Sequence, residues 1–206
     1  MKLARAMAIA GLALGVSVGM MMAQGGGGGR GKGGGKGRGK GGGIPAPLSI
    51  TVSGYSDGGM IPDSIGCAAN GQQKESPKIE WSGAPAGTMA FALIMHDTDV
   101  TLAPVAVPDV LHWAIFDIPG NATGLPAGVA KTATLPDGSV QINNVAGMPG
   151  FYSPCPPAPT VHHYIIEVYA LDAKLGLPAT ATRAELMAAL EMHTRAKGTY
   201  VGVYHV

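Results

Sequence analysis

Residues 44–206 predict a mostly-β domain of sandwich type with one peripheral helix near its C-terminus. Short apolar or alternating runs recur along this segment, and Gly, Pro, Asn or Asp cuts each of them off. Only one stretch has helical spacing, and the capping-box signature Thr182-Arg183-Ala184-Glu185 opens it. At 163 residues the segment is one domain's worth of chain, long enough for a single core.

Leu48 to Ser53 is a short strand pattern, followed by turn residues up to Pro62. Lys78 to Ser82 alternates, with Ile79 and Trp81 on one face. Thr88 to His96 is almost continuously apolar, which suits a central strand buried on both faces. Leu111 to Ile118 repeats that character until Pro119-Gly120 stops it. Pro119 to Pro159 is rich in turn formers and reads as long loops, with a strand expected at Ser139 to Asn143. Val161 to Leu171 is dense in Val, Ile and Tyr and is the strongest strand. In the helix Leu186, Ala189, Leu190 and His193 share a face, and Gly198 is expected to end the element. Thr199 to His205 alternates as a last strand. No internal repeats are visible.

The first 43 residues do not read as globular. Lys2 and Arg5 precede an uncharged apolar run from Ala6 to Ala23, the pattern of a secretory signal peptide over residues 1–23. The rival is an uncleaved membrane anchor. Against it, the run is marginal beside the ~20 residues that a spanning helix needs, and Gly11, Gly15 and Gly19 interrupt it. Residues 24–43 are glycine broken by Arg30, Lys32, Lys36, Arg38 and Lys40, which predicts a solvated linker. Gly26 to Lys32 half-matches a phosphate loop, but Gly33 stands where Ser or Thr is needed and no strand precedes it. Two readings of the linker stay open: a tether held to anionic surfaces such as lipid, cell-wall polymer or nucleic acid, and a plain spacer. The expected location is periplasmic or secreted, with membrane anchoring as the alternative.

Seven of the fourteen Lys and Arg lie in these 43 residues and no Asp or Glu does, so residues 44–206 carry a net charge of −6. An acidic body argues against nucleic-acid binding by the domain itself. The two cysteines, Cys67 and Cys155, both fall in it. Export favours a disulfide over two buried thiols, and a bridge across 88 residues is worth roughly 4–5 kcal/mol in the chain-entropy model.

Four segments hold most of the polar residues suited to chemistry: Met95-His96-Asp97-Thr98-Asp99, Leu111-His112-Trp113, Tyr152 to Pro157, and Val161-His162-His163-Tyr164. Each borders an apolar strand, which places it at a sheet's rim. Protonated imidazoles there supply charge-assisted donors to an anion, and a carboxylate orients the ring. Taken singly these signals are weak, since a lone Asp-x-Asp is usually a turn and a lone histidine usually core or surface. Gly54-Tyr55-Ser56-Asp57-Gly58 matches the nucleophile elbow of serine hydrolases, but Gly58, Gly59 and Pro62 oppose the helix that must follow it. A metal site built from His96, Asp97, His112 and His162 lacks the usual ligand spacing. His193 and His205 read as structural or exposed.

The order of these segments, together with Gly58 to Pro62, Trp81 to Thr88, Phe91 to Asp99, Asp117 to Pro119, Pro154 to Pro157 and Val168 to Asp172, resembles the phosphatidylethanolamine-binding protein family in its prokaryotic Raf-kinase-inhibitor-like branch. The likeness runs from about Pro47 to Tyr204. It implies a β-sandwich with a pocket for phosphate, acetate or a phospholipid head group. It further implies that Asp97, His112, His162 and Tyr164 form the pocket. The amides of Ser153 to Cys155, with Pro156 in the same loop, would cradle the anion, and Asp99 would hold the loop beside Asp97. The expected function is ligand binding without cofactor or catalytic residues; inhibition of a kinase or serine protease is the alternative, a hydrolase is disfavoured, and a homodimer is left open. Several positions depart from the family pattern: Thr98 for proline, Val100-Thr101 for Ala-Pro, His163 for arginine, Ser153 for glycine, and a longer Cys67 to Ser76 segment. Histidine chemistry predicts tighter anion binding below about pH 6.5.

Overall fold

The computed structural model describes residues 46–68, 70–99 and 109–206, so the expected signal peptide and basic linker lie outside the described residues. Two sheets face each other. The smaller has the order β1-β3-β6, from Ser49–Val52, Ile79–Ser82 and Gly124–Leu125. The larger has the order β2-β9-β8-β4-β5-β7, from Gly59–Met60, Thr194–His205, Val161–Leu171, Ala90–Asp97, Val110–Pro119 and Val140–Gln141. All pairings are antiparallel except the short parallel contact of β2 with β9. One helix, α1 (Arg183–His193), covers the outer face of the large sheet. The mostly-β sandwich with a peripheral helix is thus what the chain forms. Among the described residues no helix is long and apolar enough to cross a membrane.

Strand β4 explains the layering. It has no polar side chain before His96, so both of its faces can be buried. Phe91, Leu93 and Met95 enter the core between the sheets, beside Ile79 and Trp81 of β3 and Trp113 and Ile115 of β5. Ala90, Ala92 and Ile94 face the other way and pack with Leu186 and Leu190 of α1. Each large side chain buried here contributes about 1.5–3 kcal/mol, so the two-sided burial of β4 outweighs any single polar contact in the sheet.

The capping box forms as the sequence indicates: Thr182 Oγ1 accepts from the Glu185 amide, and the Glu185 side chain accepts from the Thr182 amide. The end of the helix differs. It stops at His193, with Thr194 extended and its N–H on the Leu190 carbonyl, and the chain runs directly into β9. Gly198, expected to end the helix, lies within that strand. Its need for glycine comes from another segment, because a Cβ on Gly198 would come within 2.4 Å of the Leu48 carbonyl oxygen where the incoming chain crosses β9. The strand expected over Ser139 to Asn143 shortens to two residues, and β2 and β6 are two-residue strands without a periodic signal.

Gly198→Ala is therefore expected to destabilise the domain by about 1–3 kcal/mol, the usual cost of overpacking, measured by urea unfolding. A variant as stable as wild type would show that the crossing chain can step aside.

Candidate functional site

The site grows from three strand ends. Strand alternation puts Asp97 on the same face of β4 as Phe91, Leu93 and Met95, at the end of the sandwich core. On β8, His162 and Tyr164 share that face, and Tyr164 lies opposite Asp97 in the pairing register. His112 reaches the site by a break in register. Met95 pairs with Trp113 while the next residue, His96, pairs with Leu111, so His112 is an extra residue bulged out of β5. Leu111 stays on the helix side and Trp113 on the core side. The bulge turns His112 toward Tyr164, 5.1 Å away in edge-on ring contact.

Asp97, His112 and His162 are all buried, at 2%, 4% and 6% exposure, so each must find partners inside the protein. Asp97 Oδ2 lies 2.7 Å from His162 Nδ1, and Oδ1 accepts the Asp99 amide at 3.0 Å. His162 Nε2 lies 3.1 Å from Thr160 Oγ1. His112 Nδ1 lies 3.0 Å from the Tyr152 carbonyl, which can only accept, so Nδ1 carries the proton and Nε2 is left for the neighbouring cavity. Burial pushes the His112 pKa below that of an ordinary histidine, against the pull of the Tyr152 carbonyl and the Asp97 charge. Burial, and then the nearby Asp97 carboxylate, pushes the Tyr164 phenol far up, so it stays protonated.

A cavity of about 290 Å³ opens here. Of the expected residues, Asp97, His112, Cys155 and Pro156 line it. His162, Tyr164, Ser153 and Asp99 are not in the lining. His162 and Asp99 contact Asp97, Tyr164 accepts the Cys155 amide at 3.2 Å, and Asp99 also binds His163. Tyr152 and Pro157, the ends of the proline-rich segment, also line the cavity, and Val110, Val145 and Ala146 line it without having been expected. The signal for Val145 and Ala146 was the preceding Asn144, which closes a tight turn through the Ala146 amide and the Gly150 carbonyl.

The expectation of an anion cradled by loop amides meets a different loop. The Ser153 N–H donates to Gln73 Oε1 at 2.7 Å, the Cys155 N–H to the Tyr164 hydroxyl, and the Tyr152 N–H to the His112 carbonyl. Residues 154, 156 and 157 are prolines and have no N–H. From Tyr152 to Pro157 every backbone donor is occupied.

The rival chemistries also fall on different ground. His96 sits on the opposite face of β4 from Asp97, between Asp109 and Glu167, so the four residues weighed as metal ligands do not converge. Among the described residues no group of three or more His, Cys, Asp or Glu is placed to hold a metal ion. Ser56 lies in a turn that leads into β2, without the helix that a nucleophile elbow requires. Cys67 and Cys155 are joined in a disulfide, with Cα atoms 5.3 Å apart.

The unfolded chain's imidazole gains its proton near pH 6.5, whereas buried His112 gains it at lower pH. In that interval the unfolded state binds more protons, so His112 subtracts stability as pH falls through it. His112→Gln is expected to flatten the loss of stability between pH 7.5 and 5.5 in urea unfolding. Identical slopes in both proteins would show that His112 protonates in the folded state as it does in the unfolded chain.

A family model described as phosphatidylethanolamine-binding protein matches residues 51–205. A UPF0098 protein of Methanothermobacter thermautotrophicus is 36% identical over 157 residues, covering 76% of this chain and 98% of the relative. A candidate lipoprotein of Mycobacterium tuberculosis, LppC, is 32% identical over 162 residues, covering 77% of this chain and 72% of its own length. Among solved structures, Escherichia coli YbcL, described as a member of the mammalian family, superposes with a TM-score of 0.68 at 30% identity, covering 78% of this chain and 99% of YbcL. With its sandwich fold and the match across three quarters of its length, this chain belongs to the phosphatidylethanolamine-binding protein family.

Proposed function

We propose that this is an exported binding protein whose rim cavity takes a small ligand bearing an acidic group, a phospholipid head group being the membrane-borne case. The observation that carries the reading is His112, a buried imidazole with Nδ1 committed to the Tyr152 carbonyl and Nε2 left for a cavity that Asp97 also lines. Since the loop amides are occupied, the strong donor that the described lining residues offer an anion is the His112 ring, and it serves as one only when protonated. The anion binds together with a proton, as N⁺–H···O⁻ from Nε2. Asp97 would repel a bare anion, but it is hydrogen-bonded to His162 at 2.7 Å and its oxygens keep lone pairs for a donor on the ligand. A head group with both a phosphate and an ammonium satisfies His112 and Asp97 together, where phosphate alone satisfies one. Val110, Val145 and Pro157 supply apolar walls. The apolar leader at residues 1–23 supports export, as does the relative named as a candidate lipoprotein.

The test is calorimetric titration of the protein with phosphate, acetate and phosphoethanolamine at pH 5.5 and 7.5. Phosphoethanolamine is expected to bind tightest, and every ligand to bind more tightly at pH 5.5. His112→Ala is expected to weaken binding at least tenfold, in line with about 1.5–3 kcal/mol for a hydrogen bond to a charged group. No saturable binding of any of the three by wild type would overturn the reading.

A further inference from the structure

The wall of the cavity does not support itself. The stretch Pro154 to Pro157 holds three prolines and a single N–H, so it cannot build a ladder of its own. What holds it comes from a segment about eighty residues earlier. Cys67 is bonded to Cys155, and its amide donates to the Pro154 carbonyl at 2.8 Å. Gln73 Oε1 accepts the Ser153 amide at 2.7 Å, and the Lys74 amide donates to Ser153 Oγ at 2.9 Å. Four links thus join the segment from Cys67 to Lys74 to three consecutive residues, Ser153 to Cys155, the last of which lines the cavity. The earlier segment is anchored in turn, since the Tyr204 hydroxyl donates to the Cys67 carbonyl at 2.8 Å. Those three residues directly follow Tyr152, whose carbonyl sets the orientation of His112.

We propose that this strap is a redox-set positioning device for the ligand cavity, which rests on the binding reading above: the Cys67–Cys155 bond holds the wall against His112, and reducing it lowers ligand affinity. The reductant belongs to the dithiol class. Its thiolate attacks Sγ of Cys155, on the half-buried residue that lines the cavity, and Cys67, 2% exposed, leaves as the thiolate. The second thiol of the reductant then attacks the mixed disulfide. Two electrons and two protons pass to the protein, giving two thiols, and the reductant departs as its cyclic disulfide. Gln73 is the second positioning residue in this strap and acts without any redox chemistry. Because binding and bridge are linked, a bound ligand protects the bridge by the same factor that the bridge favours the ligand.

The experiment compares phosphoethanolamine affinity, by calorimetry on the full chain, in the oxidised protein, the dithiol-reduced protein and Gln73→Leu, with Gln73→Glu as the conservative variant. The NMR resonances of the His112 ring are followed in each without ligand. Reduction is expected to weaken binding at least tenfold and to shift the His112 resonances while circular dichroism stays that of the folded sheet. Gln73→Leu, which keeps the bridge and guards against unfolding on reduction, is expected to do the same more weakly, and Gln73→Glu to restore much of the affinity through its acceptor oxygen. Equal affinity and unmoved His112 resonances in oxidised, reduced and Gln73→Leu protein would overturn the strap. If the oxidised protein binds nothing, the binding reading fails, and the His112 resonances still decide whether the bridge positions the wall.

Discussion

The whole arrangement depends on β4 being hydrogen-bonded along both edges and buried on both faces. A strand in that position has little water to turn to, so the polar side chains at its end draw partners from neighbouring segments. Asp97 takes His162 from β8, and His96, on the reverse face, takes Asp109 from the start of β5. One strand therefore orients two unlike groupings. On the helix side His96 lies between Asp109 and Glu167, and Arg183 of α1 pairs with Asp109. On the core side Asp97 and His162 are placed where the sandwich opens and a cavity can form.

Hydrogen-bond supply then shapes what the cavity can hold. A proline-rich rim with free amides would be a general anion cradle, since N–H groups carry no pH dependence. Here Gln73, Tyr164 and the His112 carbonyl occupy those amides, so under the proposed binding reading the recognition of an acid falls to one imidazole. Burial lowers that imidazole's proton affinity in the free protein, and an anion bound as proposed would raise it, so that ligand and proton would arrive together. The same hydrogen bonds that deprive the loop of donors make it rigid, because each one ties the loop to a different part of the sandwich.

Legibility in the sequence varied with the range of the determining interaction. Alternation marked β3 and the late part of β9, density of Val, Ile and Tyr marked β8, and an unbroken apolar run marked β4 as central, because each of these signals is local to its own strand. The capping box located the start of α1, since Thr182 and Glu185 satisfy each other within one turn. Asp97, His112, His162 and Tyr164 were found by resemblance, and the structure brings them within one neighbourhood. Beside them, Tyr152 and Pro157 fell in a segment already singled out, Val145 and Ala146 carried only the turn signal of Asn144, and nothing local distinguishes Val110.

The sequence by itself determined the strand faces, the helix start and the contrast between a basic first 43 residues and an acidic remainder, because these follow from periods of two and 3.6 and from summed charge. Tertiary structure alone decided the rest. Gly198 looked like a helix end and proved to be a crossing point, because the atom that forbids a Cβ there belongs to Leu48, far away in the chain. His112 faces the cavity only because β5 carries one more residue than β4 across from it, a mismatch visible only once the strands are paired. The loop amides are unavailable because Gln73 and Tyr164 reach them from elsewhere, and a sequence shows which donors exist but not which acceptors fold against them.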